Sequence, residues 1–429
     1  MATSAQLRKQ ILQGSWDAAL AALYGADPAV LQRQRGRYAA ALEQFELYFG
    51  PGRQVQVYSA PGRAELGGNH TDHQGGCGLA AAVTLDLVAV AARSTDGYVR
   101  VKSRGFNKLD VIDLATAEPQ AGESTHSASL IRGIAEGFRA VGKKVGGFDA
   151  YTASDVLRGS GLSSSAAFEM GMAVIWNGEY DCGLAPTELA KICQYAENTY
   201  FGKPSGLLDQ LTSAVGGIIF ADFADPASPQ IEKIHTDGLL PPGMSLCVTD
   251  TRGSHSELTS EFAAIRKEME QVAGTLGKKV LGQVTESEFW AALPELRSKC
   301  GDRAVLRAIH YFEENTRTLA QRDALQAGKF AAFAALVLES GRASFALCQN
   351  VYCSTDVRHQ GLSVALALSQ CILQGRGAWR MQGGGFAGTI QAYVPRELLE
   401  RYHSEIERVF GAGSCYVLRL REQGAVRVG

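Results

Sequence analysis

Apolar and polar positions alternate along the chain with two periods, one helical and one extended. Residues 1 to about 50 keep helical spacing and predict two polar helices, ending at the turn Gly50-Pro51-Gly52. "VQVYSA" (55–60) then alternates like a strand and runs into a glycine-rich stretch. "TLDLVAVAARS" and "VRVKS" predict an antiparallel pair with its turn at Asp96-Gly97. "SASLIRGIAEGFRAVG" returns to helical spacing, and "GGFDAYTASDV" reads as a strand feeding "LRGSGLSSSAAFEMGMAVIW". There the glycines stop and a helix is predicted from about Ser164. A further helix, "PTELAKICQYAENTYFG", stops at Gly202 ahead of Pro204.

Beyond Gly216 short strands ("GIIFADF", "SLCVTDT") alternate with long helices, predicted near 256–275, 304–328 and 330–340. A late strand pair, "AWRMQ" and "TIQAYV", brackets Gly383-Gly384-Gly385. Strands and helices are not regularly interleaved, so the pattern predicts an α+β fold and not a doubly wound parallel sheet. The stretch "ADFADPASPQ" is the expected boundary between two domains, residues 1–225 and 226–429.

Composition adds exclusions. The chain has 429 residues, 46% of them hydrophobic and 20% charged, with a formal net charge of −2. It has no Lys/Arg-rich run, so no nucleic-acid partner is expected. No apolar run approaches the length of a membrane span, and the N-terminus lacks the pattern of a secretory signal. Nine cysteines are scattered and never spaced C-x-x-C, which suggests neither a disulfide framework nor zinc and fits a reduced, cytoplasmic setting.

Four stretches carry candidate chemistry. "APGRAELGGNHTDHQGG" (60–76) crowds an arginine, a glutamate, two histidines and an aspartate among five glycines. "GSGLSSSAAFE" (159–169) places small residues and three serines at a helix start, where free N–H groups and the helix dipole favour an anion. A serine-capped helix after a glycine turn would look the same. "AENTYFGKPSGLLDQ" (196–210) sets Glu197 and Asp209 on separate elements. Two such acids can divide metal binding from orientation of an incoming hydroxyl, or be a solvated helix residue and a helix cap. "MQGGGFAGTIQAYV" (381–394) holds a glycine run that is either a turn or a place where backbone crowds a ligand.

Together, in this order and at these separations, the four stretches resemble the motifs of the GHMP kinase superfamily and, within it, the galactokinases. The family patterns are A-P-G-R-V-N-L-I-G-E-H-T-D-Y-x-G-G, G-L-S-S-S-A-S-x-E, A-E-x-x-F-V-G-x-x-C-G-I-M-D-Q and R-M-T-G-G-G-F-G-G. The likeness runs from about Phe49 to about Val394. It implies a ribosomal S5-like N-terminal domain and a ferredoxin-like C-terminal domain with the active site between them. It also implies an ATP-dependent sugar-1-kinase that phosphorylates the anomeric hydroxyl of α-D-galactose, a monomer or weak homodimer with no membrane or nucleic-acid partner.

By the same resemblance Asp209 faces the anomeric hydroxyl, and Arg63 serves both that carboxylate and the phosphoryl group. Ser165 and Glu197 match magnesium ligands. Gly159, Gly161, Leu162, Ser163, Ser164, Ser165 and Ala166, with Gly384 and Gly385, would hold ATP. Asn69, His70, Asp72, Gly206, Phe262 and Glu65 would form the sugar site. Five positions depart from the pattern: Glu65 replaces Asn, Gly67 Ile, Asn69 Glu, His73 Tyr and Phe262 Tyr. Asn69 offers a donor where the family has a charged acceptor, which allows N-acetylgalactosamine or galacturonic acid as alternative acceptors. Glu65, two positions from Arg63, either pairs with that arginine and weakens it or points elsewhere. A catalytically silent sugar- and ATP-binding regulator is a third possibility. His73 and His255 are expected at the surface or in packing roles.

Overall fold

The computed structural model describes residues 2–156, 161–203, 205–225, 228–235, 240–253 and 258–429. Among them the strands are β1 (Gln56–Gly67), β2 (Cys77–Arg93), β3 (Tyr98–Ser103), β4 (Leu109–Asp113), β5 (Phe148–Ser154), β6 (Ile218–Asp222), β7 (Gln230–Ile234), β8 (Met244–Asp250), β9 (Ala378–Gln382), β10 (Thr389–Pro395), β11 (Cys415–Leu418) and β12 (Val426–Val428). The α-helices are α1 (Ser4–Leu12), α2 (Asp17–Tyr24), α3 (Pro28–Phe49), α4 (Ser127–Ala140), α5 (Ser164–Glu179), α6 (Pro186–Ala196), α7 (Leu208–Val215), α8 (Thr259–Thr275), α9 (Glu286–Ala291), α10 (Leu293–Cys300), α11 (Asp302–Gln326), α12 (Phe330–Ala343), α13 (Gly361–Leu373) and α14 (Arg396–Phe410).

The first sheet runs in the order β12-β1-β2-β5-β3-β4, with β6 and β7 continuing from the start of β2. The second, β11-β8-β10-β9, is antiparallel throughout. The boundary expected at 225/226 falls between β6 and β7, both strands of the first sheet, and the chain returns to that sheet as β12.

β2 is buried almost from end to end, which explains its apolar sequence. Successive side chains point to opposite faces of a strand, and here both faces are covered. Leu87, Ala89 and Ala91 join the main core, with Met170 and Trp176 of α5. Val88, Val90 and Ala92 face a second core built with Leu20, Leu42 and Phe45 of the N-terminal helices. That N-terminal segment forms three helices, not the expected two, because Asp27 caps α3 through its side chain and Pro28 opens it. The expected pairing of "TLDLVAVAARS" with "VRVKS" is also corrected. β5 lies between them, antiparallel to β2 and parallel to β3. The predicted strand pair around the glycine run is observed as β9 and β10. The helix expected from Ser256 is described from Thr259, its first residues and His255 lying outside the described residues. The nine cysteines carry free thiols. Among the described residues one helical stretch, Phe330–Cys348, is long and apolar enough to cross a membrane by length and composition, where no run of that length was expected; its Phe333 and Val337 pack into the main core.

A polar knot ties the N-terminal helices and the C-terminal tail to the sheet. Asp86 of β2 accepts from the Tyr24 hydroxyl at 2.6 Å and from Arg421 Nη1 at 3.0 Å, and it also pairs with Arg37 and Ser59. Burial pushes its carboxyl up, but the two arginines together with the Ser59 and Tyr24 hydroxyls outweigh burial and hold it below its ordinary value. Asp86→Ala leaves the buried Arg421 without a carboxylate and Arg37 with Asp155 alone. The expected loss is about 3–5 kcal/mol of stability, read as a lowered urea midpoint; a midpoint within error of the parent would show that the knot does not hold the fold.

Candidate functional site

Arg63 sits on β1 between two register shifts, one after Pro61 and one after Glu65, that break regular pairing with β2. It is clamped to the glycine–serine loop twice. Its backbone N–H donates to Leu162 O at 3.0 Å and its Nη1 to Gly161 O. The close approach needs Gly62, where a Cβ would lie 2.8 Å from Leu162 O. The remaining arm, Nε–H, donates to Asp209 Oδ1 at 2.7 Å.

Asp209 lies in the first turn of α7, and Leu207 is the residue at the cap position. Its second oxygen accepts from Ser163 Oγ. Ser163 is in the left-handed region with φ 56° and makes no capping bond to α5, so the serine run is not a conventional helix cap. Burial pushes the Asp209 carboxyl up. The Arg63 charge and hydrogen bond, the Ser163 hydroxyl and the Lys203 charge outweigh it and hold the group below its ordinary value. The Asp209 side chain is 35% exposed against 7% for Arg63, so the ionised carboxylate faces open space while its cation is enclosed.

Glu197 is 2% exposed and not a solvated helix residue. It ends α6 and accepts from Lys203 Nζ at 2.8 Å, Ser205 Oγ at 2.6 Å and Gln210 Nε2 at 2.9 Å. The same Gln210 amide donates to Glu169 at 3.0 Å. Burial, then the Glu197 charge, pushes Glu169 well above the carboxylate range. Ser164 opens α5, with Ser165 and Ala166 in its first turn. Glu197 and Ser165 supply oxygen donors of the kind a hard divalent cation takes. Lys203 already balances the Glu197 charge in that place. Among the described residues no group of three His, Cys, Asp or Glu could hold a metal, so an ion here would also need phosphate oxygens.

The first motif folds against the second sheet. Glu65 does not hydrogen-bond to Arg63: its Oε1 accepts from Arg380 Nη2 at 2.6 Å and Asn69 Nδ2 at 3.0 Å. Asn69, 1% exposed, spends its second amide proton on Gly383 O at 2.7 Å, and its Oδ1 accepts from Asn350 Nδ2 at 2.9 Å. Asp72 accepts from the His73 N–H at 2.8 Å. Its carboxyl is pushed up to about 6, by burial first and then by the Asp209 charge. Gly206 is required beside it, because a Cβ there would overlap the Asp72 carboxylate.

His70 and His73 form a directed chain. The Leu281 N–H donates to Gln74 Oε1 at 3.2 Å, so Gln74 presents its NH₂ to His73 Nδ1 at 3.2 Å. His73 Nε2–H then donates to His70 Nδ1 at 3.3 Å, and His70 Nε2–H to Gly384 O at 3.0 Å. Both imidazoles are neutral in this chain, and burial lowers His70 to about 4.

The third motif completes the enclosure. Gly384 accepts from His70 and packs beneath Phe262, whose ring meets Phe386 edge-on at 5.4 Å. Gly385 lies against Asn350. Gln382 Nε2 donates to Gly161 O at 3.2 Å, the carbonyl that Arg63 also holds. Thus Arg63, Asp209, Gly161, Leu162 and Ser163 converge, with Gly384 and Gly385 on the adjoining strand turn. Gly159 lies outside the described residues. From α11, His310 Nε2 donates to Asn69 O at 2.9 Å and Glu314 Oε1 accepts from the Gly68 N–H at 3.3 Å. Sequence reasoning missed Lys203, Gln210, His310, Glu314, Asn350, Arg380 and Gln382. Arg380, Lys203, Gln210 and Gln382 lie inside the quoted motifs. His310, Glu314 and Asn350 come from helices and turns with no motif signal.

Comparison with known proteins gives the site its context. Residues 43–93 match the galactokinase galactose-binding signature and residues 129–217 the GHMP kinases N-terminal domain. A galactokinase from Streptomyces coelicolor is 32% identical, over 85% of this chain and 91% of its own length. One from Glaesserella parasuis is 30% identical, over 83% of this chain and 89% of its own. The crystal structure of Lactococcus lactis galactokinase complexed with galactose superimposes with a TM-score of 0.79 at 24% identity, covering 91% of this chain and all of that one. Methanococcus jannaschii mevalonate kinase gives 0.61 at 16% identity, covering 86% and 99%. The expected α+β GHMP fold is the fold observed.

Arg63→Met removes the main cation facing Asp209. The carboxyl of Asp209 should then titrate at higher pH, followed by carboxyl-carbon NMR; an unmoved titration would mean that Arg63 does not keep it ionised.

Proposed function

The chain belongs to the galactokinase family of the GHMP kinases, and on that premise we propose that this ATP-dependent sugar-1-kinase phosphorylates the anomeric hydroxyl of α-D-galactose. The observation that carries the proposal is the Arg63–Asp209 pair fastened to the glycine–serine loop. Asp209, ionised and partly open, holds or deprotonates the sugar hydroxyl. Arg63 sits beside it with positive charge available for the phosphoryl oxygens. Phosphoryl transfer depends chiefly on positioning and electrostatics, and both are built here from fixed contacts.

In this proposal the phosphates of ATP lie at the N-terminus of α5, on Gly161, Leu162, Ser163, Ser164, Ser165 and Ala166, with Gly384 and Gly385 across the cleft. Magnesium held through Ser165 and Glu197 would offset charge on the phosphate oxygens. Lys203 and Gln210 keep Glu197 oriented until then. The free thiols fit a reduced, cytoplasmic compartment.

The departures at the sugar end favour a neutral sugar. Both amide protons of Asn69 are spent on Glu65 and Gly383, so Asn69 keeps no donor for a sugar substituent. A uronic carboxylate would find no donor on Asn69, whereas a hydroxymethyl group brings a donor of its own. Glu65 is committed to Arg380, so Arg63 keeps its role and a catalytically silent regulator is not favoured.

Asp209→Asn should lower turnover by roughly 10²–10⁴-fold while ATP still binds, measured by coupled ADP release and calorimetry. Retained turnover would exclude Asp209 from the chemistry. In the same assay galactose should exceed galacturonic acid by roughly 100-fold or more in kcat/KM; a preference for the acid would reverse the assignment of the sugar end. Asp72 gains a proton as pH falls through about 6, and with it loses acceptor capacity, whereas Asp209 stays ionised. The kcat/KM for sugar should therefore decline below that pH. The residual activity of Asp72→Asn should be flat there; a persisting decline would assign the limb elsewhere.

A further inference from the structure

Asn350 lies where no motif predicts a functional residue. It follows a π-helical turn, Ser344–Cys348, and Gln349 in the left-handed region with φ 56°. The side chain is fully buried. Its amide donates to two acceptors, Asn69 Oδ1 at 2.9 Å and Gly384 O at 3.1 Å. Its backbone carbonyl takes the Phe386 N–H at 2.5 Å.

The orientation of that amide is fixed by its neighbours. Asn69 must point its NH₂ at Gly383 O and the Glu65 carboxylate, which only accept, so Asn69 Oδ1 faces Asn350 and calls for a donor. Turning Asn350 over would set its oxygen against two acceptors. In the observed orientation Asn350 Oδ1 is buried without a partner. The position thus keeps both N–H donors while leaving an acceptor unsatisfied.

Those donors meet a segment that needs restraint. Gly383, Gly385 and Phe386 have φ of 74°, 91° and 60°, and Phe386 is a bulky residue in a region that favours glycine. Asn69, His70 and Asn350 hold the carbonyls of Gly383 and Gly384, two of them neighbours in the first motif's loop and the third from the turn after the π-helical segment. The preceding residue, Gln382, reaches Gly161 O and so meets the acceptor of Arg63.

We propose that Asn350 is a positioning residue that locks the glycine run 383–386 to Asn69 and thereby sets Gly161 and Arg63 for phosphoryl transfer. This rests on the kinase assignment for its kinetic consequence, but its structural consequence stands alone. Three variants test it: Asn350→Ala, Asn350→Ser, which keeps one donor and guards against misfolding, and Asn350→Asp, which presents an oxygen to both acceptors. Hydrogen exchange of a peptide spanning 383–387 should rise at least tenfold in Asn350→Ala and Asn350→Asp and less in Asn350→Ser. The kcat with the best sugar acceptor should fall at least tenfold in the order Ser, Ala, Asp, with the KM for ATP within threefold of the parent. Unchanged exchange in the Ala and Asp variants overturns the lock, whatever the rates. Raised exchange with kcat within twofold of the parent overturns its link to catalysis. If the parent itself phosphorylates no sugar, the kinase assignment fails and the exchange result still decides whether Asn350 holds the run.

Discussion

One arginine holds β1, the glycine–serine loop and α7 in register. Arg63 bonds the Asp209 carboxylate with one arm, the Gly161 carbonyl with another, and the Leu162 carbonyl through its own backbone. An enclosed arginine facing a partly open carboxylate keeps that carboxylate charged and aimed. A carboxylate that is to hold a sugar hydroxyl depends on that arrangement, because an acid free to rotate or protonate would orient nothing.

The arrangement is supported from the second sheet by a buried polar seam. Arg380 pairs with Glu65 and also donates to Leu66 O at 3.2 Å; Gln391 donates to Glu65 O at 2.6 Å. Glu314 of α11 accepts from the Gly68 and Asn69 N–H groups and from Ser340 Oγ. Burial pushes the Glu314 carboxyl up, but Arg380, His310 and Arg317 outweigh it and hold it at about 2. Buried charges of this kind add little net stability, yet they are costly to mispair. Here they tie β1 of the first sheet to β9 and β10 of the second, the two sheets from which the site is built.

Much of this was legible in the sequence, and the reasons differ by element. The helix from Ser164, the strands around the glycine run and the α+β class follow from local periodicity and glycine punctuation, which act over a few residues. Arg63, Asp209, Ser163 and Gly161, which the structure bonds to one another, all lie within the motifs. The pairing of Glu65 was not legible, since i and i+2 proximity suggested Arg63 while Arg380 sits more than 300 positions away. Nor was the insertion of β5 between β2 and β3, because an Asp-Gly turn suits a hairpin and only the completed sheet shows which edge is free. Asn350 and Glu314 act through contacts across the seam and leave no local pattern. The N-terminal segment was undercounted by one helix, for α3 is set off by a short capped break within one continuous polar pattern.

The most direct measurement is a crystal structure of the chain with galactose and a non-hydrolysable ATP analogue. The expected result has Arg63 still bonded to Asp209, and the anomeric oxygen within hydrogen-bond reach of that carboxylate and in line with the terminal phosphate. A sugar bound with its anomeric oxygen away from Asp209, or Arg63 parted from that carboxylate in the complex, would contradict the central claim.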